Sequence, residues 1–187
     1  AYSIFKFLQK KGYDGSYSLV KQYCRKEKGT RQKQATVRVT HTPGLAGQVD
    51  WKEDMTLISQ HGEIFRFNIF LYVLSFSRKK YITLTFDRHQ DTLFKCLDDA
   101  FHHTGGVPRE IWFDNMRTVV DQPRTQYNKV VFNQRFYAFS KDADFQPIAC
   151  RPYRPQTKGI VEALARTMNR LRVYNHEFED SVELIHI

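Results

Sequence analysis

The chain has 187 residues, enough for one ordinary domain with a small appendage, and 41% of them are hydrophobic and 14% aromatic, so a sizeable core is expected. This composition argues against a disordered chain, and the lack of any apolar run of about 18 residues predicts no transmembrane helix. The net charge of +9 favours a polyanionic partner, with nucleic acid first among the candidates.

The positive charge is concentrated near the N-terminus. Residues 1–40 carry ten Lys or Arg against Asp14 and Glu27, a net charge of +8, whereas residues 41–187 carry nineteen bases and eighteen acids. We therefore divide the chain into a basic segment, residues 1–40, and a second domain, residues 41–187. The alternative for the basic segment is a solvated tail without a specific partner.

The basic segment contains two predicted short helices. One lies within residues 2–11, and a second begins after Ser16, a plausible N-cap, and runs to about Arg25. The Gly12–Gly15 breaker between them gives the outline of a partial helix-turn-helix, and the second helix presents Lys21, Gln22 and Arg25, which suit a DNA groove. Helical hairpins without DNA partners are also common. Residues 26–40 are predicted to be a basic linker that tracks phosphates.

The three cysteines bear on whether the protein works in a reducing or an oxidising compartment. Cys24, Cys96 and Cys150 are far apart and form no CxxC pair, so neither a zinc site nor a disulfide framework is predicted. We expect reduced thiols in an intracellular, cytoplasmic protein. The apolar pattern still continues at residues 182–185, so we also expect the natural protein to extend beyond residue 187.

From residue 47 the pattern changes from helices to strands. The predicted strands span residues 48–58, 63–76, 80–86, 110–113 and 146–150, and the predicted helices span 91–103, 132–141 and 157–178. Residues 117–131 read as irregular and polar. Short turns between the first three strands indicate an antiparallel meander, and the whole order predicts an α/β fold with a mixed five-stranded sheet flanked by helices.

Three acids occupy unusual positions in this pattern. Asp50 lies in the middle of the first strand, Asp114 ends the fourth, and Glu162 lies in the first turns of the last helix. An acid inside a strand is costly unless it is solvated or binds a metal, and ligands collect beyond the carboxyl ends of strands. Oxygen ligands suit Mg²⁺ or Mn²⁺.

The alternative is that these acids are solvated or form ion pairs. We expect that role for four other acids, Asp54, Asp87, Asp98 and Asp99. Glu162 would then pair with Lys158 or Arg166, four residues away on either side of it.

Three motifs carry a family resemblance. VDW at residues 49–51, GGVPREIWFDN at 105–115 and RPYRPQTKGIVE at 151–162 resemble the core of DDE transposases and retroviral integrases. The similarity is closest to bacterial insertion-sequence transposases of the IstA type and covers roughly residues 45–178. It implies an RNase H-like core and a magnesium-dependent Asp-Asp-Glu triad, which falls on Asp50, Asp114 and Glu162.

The resemblance also implies cofactors and partners. The triad would hold two Mg²⁺ or Mn²⁺ ions, and the activity would be DNA strand cleavage and strand transfer at insertion-sequence ends. The implied partners are double-stranded DNA of the element ends and the target, a helper ATPase, and further copies of the chain in a synaptic oligomer.

Further residues near the triad acquire expected roles through the resemblance. Predicted DNA contacts are Asn115, Arg151, Arg154, Gln156, Lys158 and Arg166. The alternatives are that Arg151 and Arg154 are solvated loop charges and that Asn115 only caps a turn. The acids are 64 and 48 residues apart, and the second gap is longer than in retroviral integrases, which implies an additional element around residues 117–141. Ile160 departs from the family, where Lys is usual.

Two other functions fit the same fold. One is a different RNase H-like nuclease that acts on hybrids or junctions, although the basic N-terminal hairpin argues against it. The other is a non-catalytic DNA-binding regulator. A panel of substrates would distinguish the nuclease, and metal titration would distinguish the regulator from both enzymes.

Overall fold

The computed structural model describes residues 1–27, 41–125, 128–150 and 159–186. The helices are α1 (Tyr2–Lys10), α2 (Tyr17–Glu27), α3 (Gln90–Thr104), α4 (Gln134–Asp142), α5 (Gly159–Thr167) and α6 (Ser181–His186), and a 3₁₀ helix spans Met168–Tyr174. The strands are β1 (Ala46–Ile58), β2 (Ile64–Leu74), β3 (Lys80–Thr85), β4 (Glu110–Phe113), β5 (Val120–Gln122), β6 (Val131–Phe132) and β7 (Gln146–Ala149).

Five strands form the central sheet in the order β3-β2-β1-β4-β7. The first three strands are antiparallel neighbours, while β4 pairs parallel with both β1 and β7. The predicted meander and the predicted mixed five-stranded sheet are therefore confirmed. Because β1 is the middle strand of this order, Gly47 and Gln48 pair with both β2 and β4, and most of the rest of β1 pairs with β2.

Alternation along the strands creates two apolar layers, one on each face of the sheet. One layer contains Val49, Trp51 and Phe70, and it packs against α3 and α4. The other layer contains Leu71 and Val73, together with Val161 of α5. The helix that carries Glu162 therefore covers the face opposite α3.

Strand β1 contains a bulge that changes which residues face α5. The pairing with β2 shifts between Lys52 and Met55, and Asp54 within the shift has a φ of 50°. The Asp54 N–H donates to the side-chain oxygen of Asn68 on β2, 3.2 Å away.

The bulge reverses the alternation of odd and even positions along β1. Before it, Val49 and Trp51 belong to the layer against α3, and after it Met55 and Leu57 belong to the layer against α5. As a result, Met55 and Leu57 share a face with Asp50, which precedes the bulge. The apolar floor under α5 thus continues beyond the predicted acidic site.

Two predictions of local structure were wrong. Residues 117–131 were expected to be irregular, yet β5 and β6 pair antiparallel there as a small second sheet. Val119 and Val120 cause this, because both are buried in the layer against α3 and α4.

The second wrong prediction concerns the last long helix, expected to reach residue 178. Helix α5 ends at Thr167 and the 3₁₀ helix ends at Tyr174. The chain then leaves the helix because it bonds to the end of β1: Ile58 N–H donates to Asn175 Oδ1 at 2.7 Å, and His176 N–H donates to Ile58 O at 2.7 Å.

The N-terminal segment contains two helices, α1 and α2, which meet where the Tyr17 ring contacts the rings of Tyr2 and Phe5. Ser16 Oγ accepts a hydrogen bond from the Leu19 N–H at 3.4 Å, which supports its N-cap role. Helix α1 rests on the 3₁₀ helix, where Lys10 Nζ donates to Val173 O at 2.8 Å and pairs with Glu177. Most of the predicted basic linker, residues 28–40, lies outside the described residues. Within the described part of the chain, no helix is long and apolar enough to cross a membrane.

Candidate metal and DNA site

Asp50 lies in β1, and Asp114 directly follows β4, the parallel neighbour of β1. Asp50 is a half-buried residue of β1, and Asp114 is an exposed residue directly after β4. The two strands pair with Gln48 opposite Trp112. The pairing between the strands ends there, and Asp50 and Asp114 each lie two residues further along the chain, at the same end of the two strands.

The same register gives the two acids a common face. Side chains alternate along each strand, so Asp50 shares a face with Gln48, and Asp114 is in phase with Trp112. The described structure therefore brings two of the three predicted acids to one face and one end of the sheet.

A hydrogen bond anchors the helix that carries Glu162 to this face of the sheet. The Val161 N–H donates to the side-chain oxygen of Gln48 at 3.2 Å, in a buried position. Glu162 is the next residue, half buried in the first turn of α5. Since Gln48 is two residues before Asp50 on the same face, the start of α5 is fixed beside the strand that carries Asp50.

The loop after β4 is fixed by a second polar contact. Asn115 Nδ2 donates to Cys150 O at 3.1 Å, and the Cys150 N–H donates to Phe113 O at 2.9 Å. These bonds tie the end of β4 to the end of β7 and so fix the backbone of Asp114. Asn115 Oδ1 is buried and has no hydrogen-bond partner among the described residues.

The three carboxylates are not gathered into one cluster. Among the residues that the structure describes, no group of three or more His, Cys, Asp or Glu side chains lies close enough together to hold a metal ion. Their backbones are placed on neighbouring elements of one face, and their side chains are not brought onto a common point.

The predicted DNA contacts fall into two sets. Arg151, Arg154, Gln156 and Lys158 lie outside the described residues. The others are on the surface: Lys21, Gln22 and Arg25 are exposed on α2, and Arg166 is exposed near the end of α5. Asn115 is half buried, and its visible contact is the structural one with Cys150.

A polar groove of about 610 Å³ lies next to Asn115 on the α3 side of the sheet. Its walls carry both signs of charge, including the ion pair between Arg88 and Glu53. Asp87 in this groove accepts hydrogen bonds from the His89 N–H at 2.8 Å and from Thr92 Oγ1. The Thr92 hydroxyl, followed by the His89 amide, holds the pKa of Asp87 below its usual value. This acid therefore organises the start of α3.

Sequence reasoning missed Gln48, the residue that connects β1 to the Glu162 helix. A glutamine on an otherwise apolar central strand, two positions before an acid, is a signal that could have drawn attention to it. Its partner could not be identified, because Val161 is 113 residues further along the chain.

An RNase H-like sheet that carries two acids on parallel neighbours and a third on a covering helix defines an integrase type of core. Residues 41–155 match the integrase core domain family, so the chain belongs to this family. Asp50 and Asp114 lie within the matched residues, and Glu162 lies seven residues beyond them.

Curated relatives agree with this membership. A putative transposase for insertion sequence element IS5376 from Geobacillus stearothermophilus is 39% identical over 159 residues, which cover 85% of this chain and 39% of that protein. A transposase for insertion sequence element IS232 from Bacillus thuringiensis subsp. berliner is 37% identical over 142 residues, covering 76% of this chain and 33% of that protein. The chain thus spans between a third and two fifths of the length of these two relatives.

A solved structure has the same fold. The simian T-cell lymphotropic virus intasome, in complex with a PP2A regulatory subunit, contains a chain that aligns with a TM-score of 0.55 at 18% identity. The alignment covers 75% of this chain and 44% of that one. The predicted integrase-like catalytic fold is therefore confirmed.

Proposed function

We propose that this chain is the catalytic core of a DNA transposase, which cuts and joins DNA strands at the ends of an insertion sequence. The observation that carries the proposal is the hydrogen bond from Val161 to Gln48, which sets the Glu162 helix over the face shared by Asp50 and Asp114. Family membership and the names of the curated relatives support it.

The three acids fit a pair of divalent metal ions. They offer oxygen donors only, which Mg²⁺ and Mn²⁺ prefer; Asp50 lies in the central strand β1, and Asp114 directly follows the neighbouring strand β4. When bound, such ions stabilise both the attacking and the leaving oxygen of a phosphodiester exchange. Magnesium, or manganese in its place, is our proposed cofactor.

The protein contributes fixed geometry to this reaction. Asp50 is held by the central strand, and Asp114 is held by the Asn115 bond to the end of β7. Glu162 is held by the anchored start of α5. Asp50, Asp114 and Glu162 are the residues that would hold the ions, and the reaction would need no covalent intermediate on the enzyme.

We further propose how DNA is bound. Lys21, Gln22 and Arg25 form an exposed polar stripe on α2, suited to the groove of element-end DNA. Arg151, Arg154, Gln156 and Lys158 precede α5 in the sequence, and we assign them, with Asn115 and Arg166, to the DNA near the metal site. The whole protein would act with target DNA, a helper ATPase and further copies of itself, as the resemblance implies.

The direct test is cleavage of labelled element-end DNA in the presence of Mg²⁺. The proposal predicts metal-dependent nicking at the element end and joining to target DNA. Cleavage of RNA–DNA hybrids or junctions in preference to element ends would instead identify a different nuclease. A protein that binds DNA but takes up no Mn²⁺ in a calorimetric titration would be a regulator.

A further inference from the structure

A second groove lies at the far end of the sheet from the acids. It has a volume of about 1110 Å³ and runs between α4, β6 and the edge strand β7. Arg109, which precedes β4, and Gln146, which opens β7, form one wall and are joined by a 2.8 Å bond from Gln146 N–H to Arg109 O. Since β4 has four residues, the groove is separated from Asp114 by about 13 Å along that strand.

The opposite wall presents a pair of aromatic rings. Phe132 and Tyr137 are stacked, with centroids 6.3 Å apart and planes 15° apart. Phe132 is partly buried against the core layer, so the pair is anchored, while Tyr137 is 44% exposed and faces solvent. Lys141 Nζ lies over the Tyr137 ring, 5.2 Å from its centre, so a base that stacks on this face takes the place of the ammonium group at the end of the lysine side chain.

The charge and size of the groove favour an extended anion. Arg109 and Lys141 line it against the single acid Asp144 among its lining residues, so its balance is positive. Its volume exceeds the roughly 300–1,000 Å³ that is usual for small-molecule pockets. A peptide strand is disfavoured, because Pro147 removes a backbone donor from the edge strand that such a peptide would have to pair with.

We propose that this groove binds single-stranded DNA. A ring platform flanked by cations recognises bases by stacking and phosphates by charge, and it can receive a base only where the base is unpaired. The proposal rests on the proposed function, since unpaired bases become available where a cut strand separates from its complement during cutting and joining. It adds a second DNA contact, distinct from the acids and from α2.

The test measures binding of a fluorescein-labelled oligothymidylate of about twelve nucleotides by anisotropy, without divalent metal, beside a duplex of equal length. Tyr137→Ala should weaken oligothymidylate binding about tenfold and duplex binding less than twofold, while Tyr137→Phe, which keeps the ring, should bind as the wild type does. Lys141→Ala and Arg109→Ala should each lower the salt dependence of oligothymidylate binding. Lys95→Ala, which removes an exposed lysine from α3 outside the groove, serves as the control.

A second measurement tests the proposal even if Tyr137→Ala does not fold properly. An abasic oligonucleotide should bind the wild type more weakly than oligothymidylate, and this difference should vanish in Tyr137→Ala if its melting temperature is retained. If that variant is unstable, two observations on the wild type decide whether the groove binds bases. These are weaker binding of the abasic oligonucleotide and crosslinking of a thymine analogue to Tyr137. Equal losses on single-stranded and duplex DNA, no abasic penalty, or an unchanged affinity would each overturn the assignment. Cleavage by the acidic site is scored separately, so failure here is distinguishable from failure of the proposed function.

Discussion

The backbone N–H of Val161 donates to the side-chain oxygen of Gln48, a buried contact of 3.2 Å across 113 residues of sequence. The first N–H groups of a helix have no partner within the helix, so a buried acceptor there fixes where the helix begins. In this protein the helix is α5, which carries Glu162, and the acceptor is two residues from Asp50. This single contact therefore places the start of the helix that carries Glu162 beside the strand that carries Asp50.

Replacing Gln48 should release the start of α5 from β1. Gln48→Leu leaves the Val161 N–H buried without an acceptor, which should reduce the free energy of unfolding by about 1–3 kcal/mol. The cleavage rate constant should fall at least tenfold while the DNA dissociation constant stays within twofold, because Gln48 is a positioning residue. Thermal denaturation, single-turnover cleavage and DNA titration measure the three quantities.

The matched control for Gln48 is Thr56→Val on the same strand, at an exposed position. It should retain both stability and cleavage. A Gln48→Leu variant that is destabilised but cleaves at the wild-type rate would show that the contact supports folding alone.

Gly47 should resist substitution because of close packing. A Cβ placed there would lie 3.2 Å from the Tyr72 hydroxyl oxygen and 3.3 Å from Pro108 Cγ, and both neighbouring residues are buried. Gly47→Ala should therefore lower stability by about 1–3 kcal/mol, as measured by denaturant unfolding. Gly159→Ala is the control, since a Cβ there meets no atom of the described residues within 4 Å, and it should be neutral or slightly stabilising. Equal stability of the two variants would contradict the packing seen around Gly47.

Asp87 should make stability depend on pH in the acid range. Its folded pKa is lowered by the Thr92 hydroxyl and the His89 amide, so its contribution is present above the usual value of 3.8 and is lost as pH falls through the folded pKa. Asp87→Ala should lower the free energy of unfolding at pH 7 by about 1 kcal/mol or less, because the carboxylate is largely exposed. The difference from wild type should shrink below pH 3.8. Asp142→Ala, which removes an exposed acid at the end of α4, is the control and should leave the free energy of unfolding at pH 7 unchanged.

The exposed stripe on α2 should determine sequence preference. If Lys21, Gln22 and Arg25 contact base edges, each alanine variant should lose about 1–3 kcal/mol on element-end DNA and much less on random DNA. Competition binding on the two DNAs measures this, with Lys80→Ala on β3 as the control. Equal losses on both DNAs would mark the three residues as phosphate contacts.

The sequence singles out Asp50, Asp114 and Glu162 because each one breaks a local pattern, and their role as metal ligands stays a prediction. An aspartate in the middle of an apolar strand, as at Asp50, has few explanations, and Asp114 and Glu162 follow from the ends of their elements. The sheet order was similarly accessible, since short turns and alternation specify a meander.

Features that depend on distant partners could not be predicted. The bulge at Asp54 is supported by Asn68 on the next strand, and the early end of the last long helix is supported by the bond between Asn175 and Ile58, 117 residues apart. The local amino-acid sequence does not predict contacts between residues so far apart in the chain. The hairpin of β5 and β6 was missed because Val119 and Val120 are too short an apolar run to register as a strand.

The metal site is the central claim, and it predicts a specific set of variant properties. Asp50→Asn, Asp114→Asn and Glu162→Gln keep the shape of each side chain while removing one charge from the proposed metal shell. DNA binding should survive in all three, because each change reduces repulsion of phosphate. Thermal stability without metal should remain level or rise, and Mn²⁺ should stabilise the wild type more than the variants.

The decisive measurement is Mg²⁺-dependent cleavage of labelled element-end DNA by the wild type and five variants. Asp50→Asn, Asp114→Asn and Glu162→Gln should each abolish cleavage and joining, whereas the controls Asp54→Asn and Asp99→Asn should remain active. Acids that served only in ion pairs or caps would give the opposite result, lower stability with intact chemistry. Robust cleavage by any one of the three triad variants would remove that residue from the metal site and contradict the account.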